Sequence, residues 1–439
     1  MARRPTPLTV LAAASLAAWC AVLAHPARPW DLRPRDDETA PPPPDRWPAV
    51  GVIVPARNEA AMLERTLPAL AAQDYPGPWR VAVVDDRSDD GTAEAARRIA
   101  ARSPAAAPLE VVPGAPLPAG WVGKVWALEQ GRRHHTAAPG APVGAAASAN
   151  WRDRVAWVGA PLGAAAGANW RAGAGGTAEE WPAGGPEYLL LTDADIHHDP
   201  GTLRGLVAEA RERDLALTSR MALLNCETGA ERLLIPPFVL FFNLLYPMRW
   251  ANRAGGRVAA AAGGCVLVRR DALDGAGGFA AMSDALIDDL TLAGRLKRRG
   301  GGIRLSVSNG AVRSLRRYAT TGPIWRMVRR SAYTQLRRSP VLLAGTAAGL
   351  SLMFVAPPAA LVAGLVGAAR GRPAARWAPP AALGAAAWAT SAVAAAPATH
   401  LYRLPRRWSW ALPAAGALYG AMTVDSALRG PRPGSGGWR

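Results

Sequence analysis

From Ala49 the chain alternates short aliphatic runs with segments of helical period: AVGVIVP, a helix from Glu59, VAVVDD, a helix from Gly91, then LEVV. Strands this short and apolar are buried on both faces, and the helices between them must cross over. The pattern therefore predicts an α/β fold built on a mostly parallel sheet. Residues 136–187 interrupt the order. There GAAASANWR (Gly144–Arg152) recurs as GAAAGANWR (Gly163–Arg171) in Ala/Gly-rich surroundings. Two copies without an apolar period cannot build a solenoid core, so a low-complexity surface insertion is expected. Order resumes at Glu187, with a strand ending in Asp193 and a helix capped by Asp199 with Pro200 in its first position.

The ends of the chain read differently. Leu8–Ala24, preceded by Arg3 and Arg4, fits a short spanning helix or a signal peptide, and residues 1–30 are taken as an N-terminal membrane anchor. Residues 31–48 form a proline-rich linker. Residues 233–250, LLIPPFVLFFNLLYPMRW, are strongly apolar, but their prolines favour a helix lying in the membrane interface over a span. Residues 341–428 hold three candidate spans, Val341–Ala369, Ala378–Ala398 and Trp410–Leu428, and 429–439 is a polar tail. Between the linker and this region, 49–340 is read as one globular domain.

The formal charge of +18, from 51 basic and 33 acidic residues, raises the question of nucleic acid. Its distribution answers against it. Arg313, Arg316, Arg317, Arg326, Arg329, Arg330, Arg337 and Arg338 crowd the stretch before the apolar run at Val341, as expected at a cytoplasmic membrane boundary. The polar segments further on each carry three arginines, which leaves the side of the C-terminus open. Cys20, Cys226 and Cys265 show no paired spacing, so neither a disulfide framework nor a thiolate metal site is indicated.

The chemistry lies in acidic motifs. In VVDDRSDDGT a strand delivers Asp85 and Asp86 to the sheet edge where ligands of open α/β folds bind. An acidic turn capping the next helix through Asp89 or Asp90 fits the same residues. In LLLTDADIHHDP, Asp193 and Asp195 follow a buried strand one residue apart, and two such carboxylates can share a divalent metal with diphosphate oxygens. His197 and His198 are left outside the metal set, since loop histidines beside a helix start are ordinary surface residues. Lysine occurs only twice in the chain, and Lys124 in GWVGK is one of them. A compact ammonium suits a point contact to diphosphate better than arginine's planar fork. Asp288 and Asp289 open an amphipathic helix whose Leu290, Ala293 and Leu296 are spaced to face the core. Carboxylates there are favoured by the helix dipole alone; one of them can also serve as a general base. Gly263, Gly264, Gly277 and Gly278 mark places where backbone approaches closely or turns sharply.

PARNE, DDRSDDGT, GWVGK, TDAD, GGCVLVRR and IDDLTLAGRLKRRG, in this order, resemble family-two glycosyltransferases of the GT-A fold. Similarity is greatest to the hopene-associated glycosyltransferases, a membrane subgroup encoded with hopanoid biosynthesis. It also takes in FFNLLYPMRW, RMVRRSAYTQLRRSP and the ending MTVDSALRGPRPGSGGW. The resemblance implies a UDP-sugar donor, a membrane lipid acceptor such as a hopanoid, Mg²⁺ or Mn²⁺, and inversion at the anomeric carbon. By that resemblance Pro55, Arg57, Glu59, Asp85, Asp86, Lys124 and Asp193 bind the donor, with Asp86 on the uracil and Lys124 at the diphosphate. Asp193 and Asp195 take the metal, Asp289 is the base with Asp288 beside it, and Arg329 helps the diphosphate leave. Where processive relatives carry Gln-x-x-Arg-Trp, this chain has Arg326-Met-Val-Arg329-Arg330, so one sugar per acceptor is expected. A cleaved, exported chain would be cut off from a cytosolic donor. A multi-pass plasma-membrane enzyme with its catalytic domain in the cytoplasm is the expectation, with no nucleic-acid partner.

Overall fold

The alternation from Ala49 becomes a seven-stranded sheet in the computed structural model, which describes residues 5–33, 41–102, 108–137 and 181–430. The strands are β1 (Val50–Ala56), β2 (Trp79–Asp85), β3 (Leu109–Pro113), β4 (Tyr188–Thr192), β5 (Ile196–His198), β6 (Leu215–Met221), β7 (Cys265–Arg269), β8 (Gly302–Val307) and β9 (Val312–Ser314). Across the large sheet their order is β3-β2-β1-β4-β7-β6-β8, while β5 and β9 pair in a two-stranded ribbon. In the large sheet pairing is parallel except for β7, which runs antiparallel to both β4 and β6, and β5 and β9 pair antiparallel. Every residue of β1 and β4 is buried, as a central strand covered on both faces requires. Val52, Val54, Leu63, Leu67, Leu190 and Leu203 lie in the core between this sheet and its helices.

By contacts the chain divides into two compact units, and the sheet belongs to the one formed by Asp37–Ala222, Ala261–Leu315 and Gly436–Arg439. Two local expectations within it need correction. The helix after β5 runs Thr202–Glu212 with Gly201 at its N-cap, so Asp199 does not cap it and Pro200 is not in its first turn. The reason is the ribbon: Asp199 continues β5, its N–H donating to the Ala311 carbonyl and its carboxylate accepting from Arg313. In the helix Asp288–Arg298 the buried residues are Leu292, Ala293 and Leu296, whereas Leu290 is half-buried. The duplicated repeats fall in 138–180, outside the described residues.

The other unit comprises Met1–Asp36, Leu223–Ala260 and Arg316–Ser435. Among the described residues, three of its helices are long and apolar enough to cross a membrane: Pro7–Ala24, Pro340–Ala369 and Ala374–Leu401. Large exposed apolar side chains, among them Val10, Leu11, Val341, Val362, Leu365 and Val393, are carried on these same helices. The third expected C-terminal span, Trp410–Leu428, is not among these three. Trp410–Leu428 is split between a 3₁₀ turn, Arg406–Ala411, and a helix, Leu412–Arg429, and Asp425 and Arg429 lower its apolarity below that of the other three. Residues 233–250 fall mainly in the helix Gly229–Leu245, which contains Pro236 and Pro237 and starts at a reciprocal capping box between Thr228 and Glu231.

Pro357 and Pro358 explain an irregularity in the long helix Pro340–Ala369. Lacking N–H groups, they cannot make the α-helical bonds to the carbonyls of Met353 and Phe354, and Ser351–Val355 forms a π turn. Trp19 Nε1 donates to the Met353 carbonyl at 3.1 Å. A side chain from the first apolar helix thus satisfies a backbone group that no water could reach in a bilayer.

Candidate active site

Three elements of the sheet-bearing unit converge on one ammonium. Lys124 stands in the first turn of the helix Gly123–Thr136, whose N-cap Val122 is fixed by donating its N–H to the Ser283 carbonyl at 2.7 Å. Asp193 follows the C-terminal end of β4, and Asp288 and Asp289 open the helix Asp288–Arg298. Lys124 Nζ lies 2.8 Å from Asp193 Oδ1 and 3.4 Å from Asp288 Oδ2. These four residues line one cavity, together with Pro55 from the end of β1 and Gly263.

Asp289 is held by backbone donors on both oxygens: Gly263 N–H reaches Oδ2 and Leu290 N–H reaches Oδ1, each at 2.8 Å. Burial, and next the Asp288 charge beside it, push its carboxyl up to about 7 against the opposing pull of Lys124. Burial alone would lower the Lys124 ammonium, but the charges of Asp193 and Asp288 outweigh it and hold its pKa above the ordinary value. The site therefore carries one permanent cation and a carboxylate whose proton is exchangeable near neutrality.

Gly263 is a close-approach glycine as expected. A Cβ there would come 3.2 Å from Lys124 Nζ and 3.3 Å from Asp289 Oδ2. Gly277 and Gly278 instead take left-handed φ angles of +90° and +61°. The Ser283 carbonyl and its grip on Val122 had no signal in the sequence, because a backbone acceptor in a loop leaves no residue signature.

The DDRSDDGT turn forms a second cluster one strand over, where Ala56 of β1 is in register with Asp85 of β2. Asp85 and Asp86 do not line the Lys124 cavity. Asp86 is buried, with Arg57 Nη1 at 3.4 Å from its Oδ2. Burial raises its pKa, and the Arg57 charge acts in the opposite direction. Asp85 Oδ1 accepts from Ser88 N–H at 3.3 Å. Of the two carboxylates considered for capping, Asp90 accepts from the N–H groups of Thr92 and Ala60, both at 3.0 Å. Asp89 instead offers its N–H to Asn58 Oδ1. Glu59 N–H donates to Thr92 Oγ1 at 2.9 Å and Asn58 N–H to Ser88 Oγ at 2.9 Å, so PARNE and the acidic turn are laced together. Asn58 and Arg87 adopt left-handed φ angles of 56° and 59° to make this possible.

The remaining expected residues are not among those that line the cavity. Asp195 Oδ2 accepts from Ser314 Oγ of β9 at 2.8 Å. His198 is buried on Thr192 Oγ1 at 2.7 Å, its ring pushed down to about 3 by burial, and His197 faces Asp199 at 3.2 Å. Arg329 belongs to the other unit, on the helix Thr321–Gln335, with its guanidinium 3.6 Å from Asp425.

Among the described residues no three His, Cys, Asp or Glu side chains group as a cage for a resident ion. A divalent ion arriving with diphosphate needs only one or two protein carboxylates. Asp193, at the cavity and more than a third exposed, is a donor of that kind.

Residues 48–333 match the family described as Glycosyltransferase like family 2. The chain belongs to this glycosyltransferase family. No curated protein matches it. Among solved structures it is similar to a mannosyltransferase from Pyrobaculum calidifontis in complex with GDP-Man and Mn²⁺, at 21% identity over 94% of this chain and 99% of that one, TM-score 0.48. TarS 1-349 of S. aureus with UDP-GlcNAc matches at 14% identity over 65% and 66%, TM-score 0.34. Glucosyl-3-phosphoglycerate synthase of Mycobacterium tuberculosis with Mn²⁺, UDP and glucosyl-3-phosphoglycerate matches at 17% over 66% and 80%, TM-score 0.36. As a family member with this mixed, mostly parallel sheet, the chain is a GT-A glycosyltransferase that uses a nucleotide-sugar donor.

Proposed function

We propose that the chain is an inverting glycosyltransferase that moves one sugar from a UDP-sugar to a hydroxyl of a membrane lipid, a hopanoid by its sequence resemblance. The observation that carries this reading is the meeting of Lys124, Asp193, Asp288 and Asp289 at one cavity, where burial and the Asp288 charge raise the Asp289 carboxyl. In this reading 49–340 is the catalytic domain, facing the cytosol, and the apolar helices on either side of it in sequence hold the enzyme in the plasma membrane.

Asp289 acts as the base. The acceptor oxygen attacks the anomeric carbon, the bond from that carbon to the diphosphate oxygen breaks, and the hydroxyl proton passes to the Asp289 carboxylate. The two backbone N–H groups on that carboxylate fix its orientation while each oxygen keeps a lone pair for the proton. Lys124 supplies fixed positive charge where the diphosphate gains negative charge. Asp86 and the PARNE segment, including Pro55, Arg57 and Glu59, hold the nucleotide. Asp193 and Asp195 are the residues that would hold Mg²⁺ or Mn²⁺, which when bound neutralises charge on the leaving group.

Membranes containing the protein, incubated with a panel of radiolabelled UDP-sugars and then extracted for lipid, test the reading. Label in a hopanoid fraction, lost in Asp289→Asn, is the expected result. Label in ceramide, glycerolipid, carotenoid or polymer would replace the acceptor, and donor-independent inertness would reject catalysis.

A further inference from the structure

Asp289 owes the bond on its Oδ2 to a single peptide, Ala262–Gly263, in the strip that leads into β7. A trans peptide is planar and its C=O and N–H point opposite ways, so whatever fixes the Ala262 carbonyl also aims the Gly263 N–H. Ser219 Oγ and the Cys265 N–H both donate to that carbonyl, each at 3.2 Å. Ser219 Oγ in turn accepts from the Ala262 N–H at 2.9 Å, so one hydroxyl grips both polar groups of Ala262. Ser219 is fully buried on β6, in register with Val266 of β7, and is not among the residues that line the cavity.

A second hold comes from β4, on the other side of β7. Thr192 Oγ1 donates to the Gly264 carbonyl at 2.9 Å and lies 2.7 Å from His198 Nε2. The hydroxyl has one proton and the carbonyl can only accept, so the ring N–H is the donor in the second bond. His198 is fully buried, which favours the neutral ring this pattern needs, and its Nδ1 has no partner among the described residues. The side chain's polar contact thus serves to direct Thr192. Between the two holds the backbone has little room: a Cβ on Gly264 would come 3.0 Å from Ile196 Cδ1, and one on Gly263 would crowd Lys124 and Asp289.

We propose that Ser219 is a positioning residue for Asp289, aiming the Gly263 N–H at its carboxylate, and that His198 steadies the same strip through Thr192. This role rests on the reading of Asp289 as the base. Ser219→Ala frees the Ala262–Gly263 peptide and weakens a bond that lowers the Asp289 pKa, while Asp288 and Lys124, the charged groups beside it, stay in place. In the full-length protein, the limb of kcat/KM for UDP release moves up by about one pH unit, the weight of one hydrogen bond to a charged group. Ser219→Cys, close in volume but a weaker donor, falls between the two. Thr218→Val is the control: the next residue of β6 is equally buried but bonds Glu209 at 2.6 Å, so its loss lowers the melting temperature and leaves the limb in place. Dicyclohexylcarbodiimide, which labels protonated carboxyls, reads Asp289 without a sugar donor or acceptor. Mapped by mass spectrometry across pH, its labelling midpoint moves up in Ser219→Ala and not in Thr218→Val. A midpoint in Ser219→Ala equal to that of the wild type overturns the proposal, as does a shift that Thr218→Val shares. Normal turnover in Asp289→Asn with a shifted midpoint in Ser219→Ala would reject the base and keep the hold of Ser219 on Asp289. An inactive Asp289→Asn with an unmoved midpoint would do the reverse.

Discussion

Lys124 Nζ sits 2.8 Å from Asp193 Oδ1 and joins the end of β4 to the start of the helix Gly123–Thr136 through a single ammonium. Asp288 approaches the same nitrogen at 3.4 Å from a third element. A point charge with three rotatable donors can serve two carboxylates and a diphosphate in turn, whereas a planar fork is committed to one plane. Lys124→Ala should lower kcat/KM for donor turnover by about 100-fold or more, the scale seen when a fixed charge-stabilising donor is lost. Lys124→Arg should lose about 10-fold despite keeping the charge. UDP release at saturating acceptor measures both, and wild-type activity in Lys124→Arg would sink the point-charge argument.

Asp289 sets the pH dependence. With its carboxyl pushed up to about 7 by burial and then by Asp288, the base is ionised only above that value, so activity should rise with pH through about 7. Asp288→Asn removes a cause that raises the pKa and should move this limb to lower pH. Lys124→Ala removes a cause that lowers it and should move the limb up. Profiles of kcat/KM across the neutral range check the signs, and a limb that stays put in Asp288→Asn would count against Asp289 as the titrating group.

The same shift has a consequence for stability. A group whose folded pKa lies above its unfolded value contributes fully below the unfolded pKa, and that contribution is lost as pH rises through the folded one. For Asp289 the window runs from 3.8 to about 7. Above it the folded protein holds a partly desolvated carboxylate that an amide would not impose. Asp289→Asn should therefore melt above the wild type at about pH 8, with the difference shrinking toward about pH 5. Turnover should fall by about 10²–10⁴-fold. A mutant less stable than the wild type at the higher pH would show that the two backbone donors on Asp289 need the charge.

The parts of the site that could be read in the sequence are those whose signal is local. Strands β1, β2 and β4 announce themselves by composition, and Lys124, Asp193 and Asp289, which line one cavity, by residue type beside a strand or helix end. What escaped depends on distant partners. β5 has three residues, too few for a period, and exists because β9 pairs with it, which is why Asp199 looked like a helix cap. The Val122 N–H bond to Ser283 and the left-handed turn at Asn58 are backbone events that no side-chain pattern marks. Trp410–Leu428 counted as a span by its small and apolar residues, but Asp425 within it accepts from Trp325 Nε1 at 2.8 Å and lies near Arg329.

The flanks of residues 138–180 meet far from the chemistry. The Trp181 ring lies 5.9 Å from the His135 ring, and the Arg80 guanidinium stacks 4.3 Å above Trp181. A Cβ on Gly51 would come 2.7 Å from His135, which places this junction at the start of β1 and β2. Asp85 and the cavity residue Pro55 lie at the other ends of those strands, about 13–17 Å away by strand rise. Because the flanks are already adjacent, a short linker can close them without pulling on the sheet. Replacing 138–180 with about six Gly and Ser residues should leave kcat/KM within about twofold, and stability should rise by about 1–2 kcal/mol from the smaller loop-closure cost. Trp181→Ala in the same background should lower the melting temperature and spare turnover, since it removes the ring contacts with His135 and Arg80 but touches nothing at the cavity. A large loss of turnover in the shortened chain at unchanged melting temperature would mean that the duplicated repeats take part in the reaction.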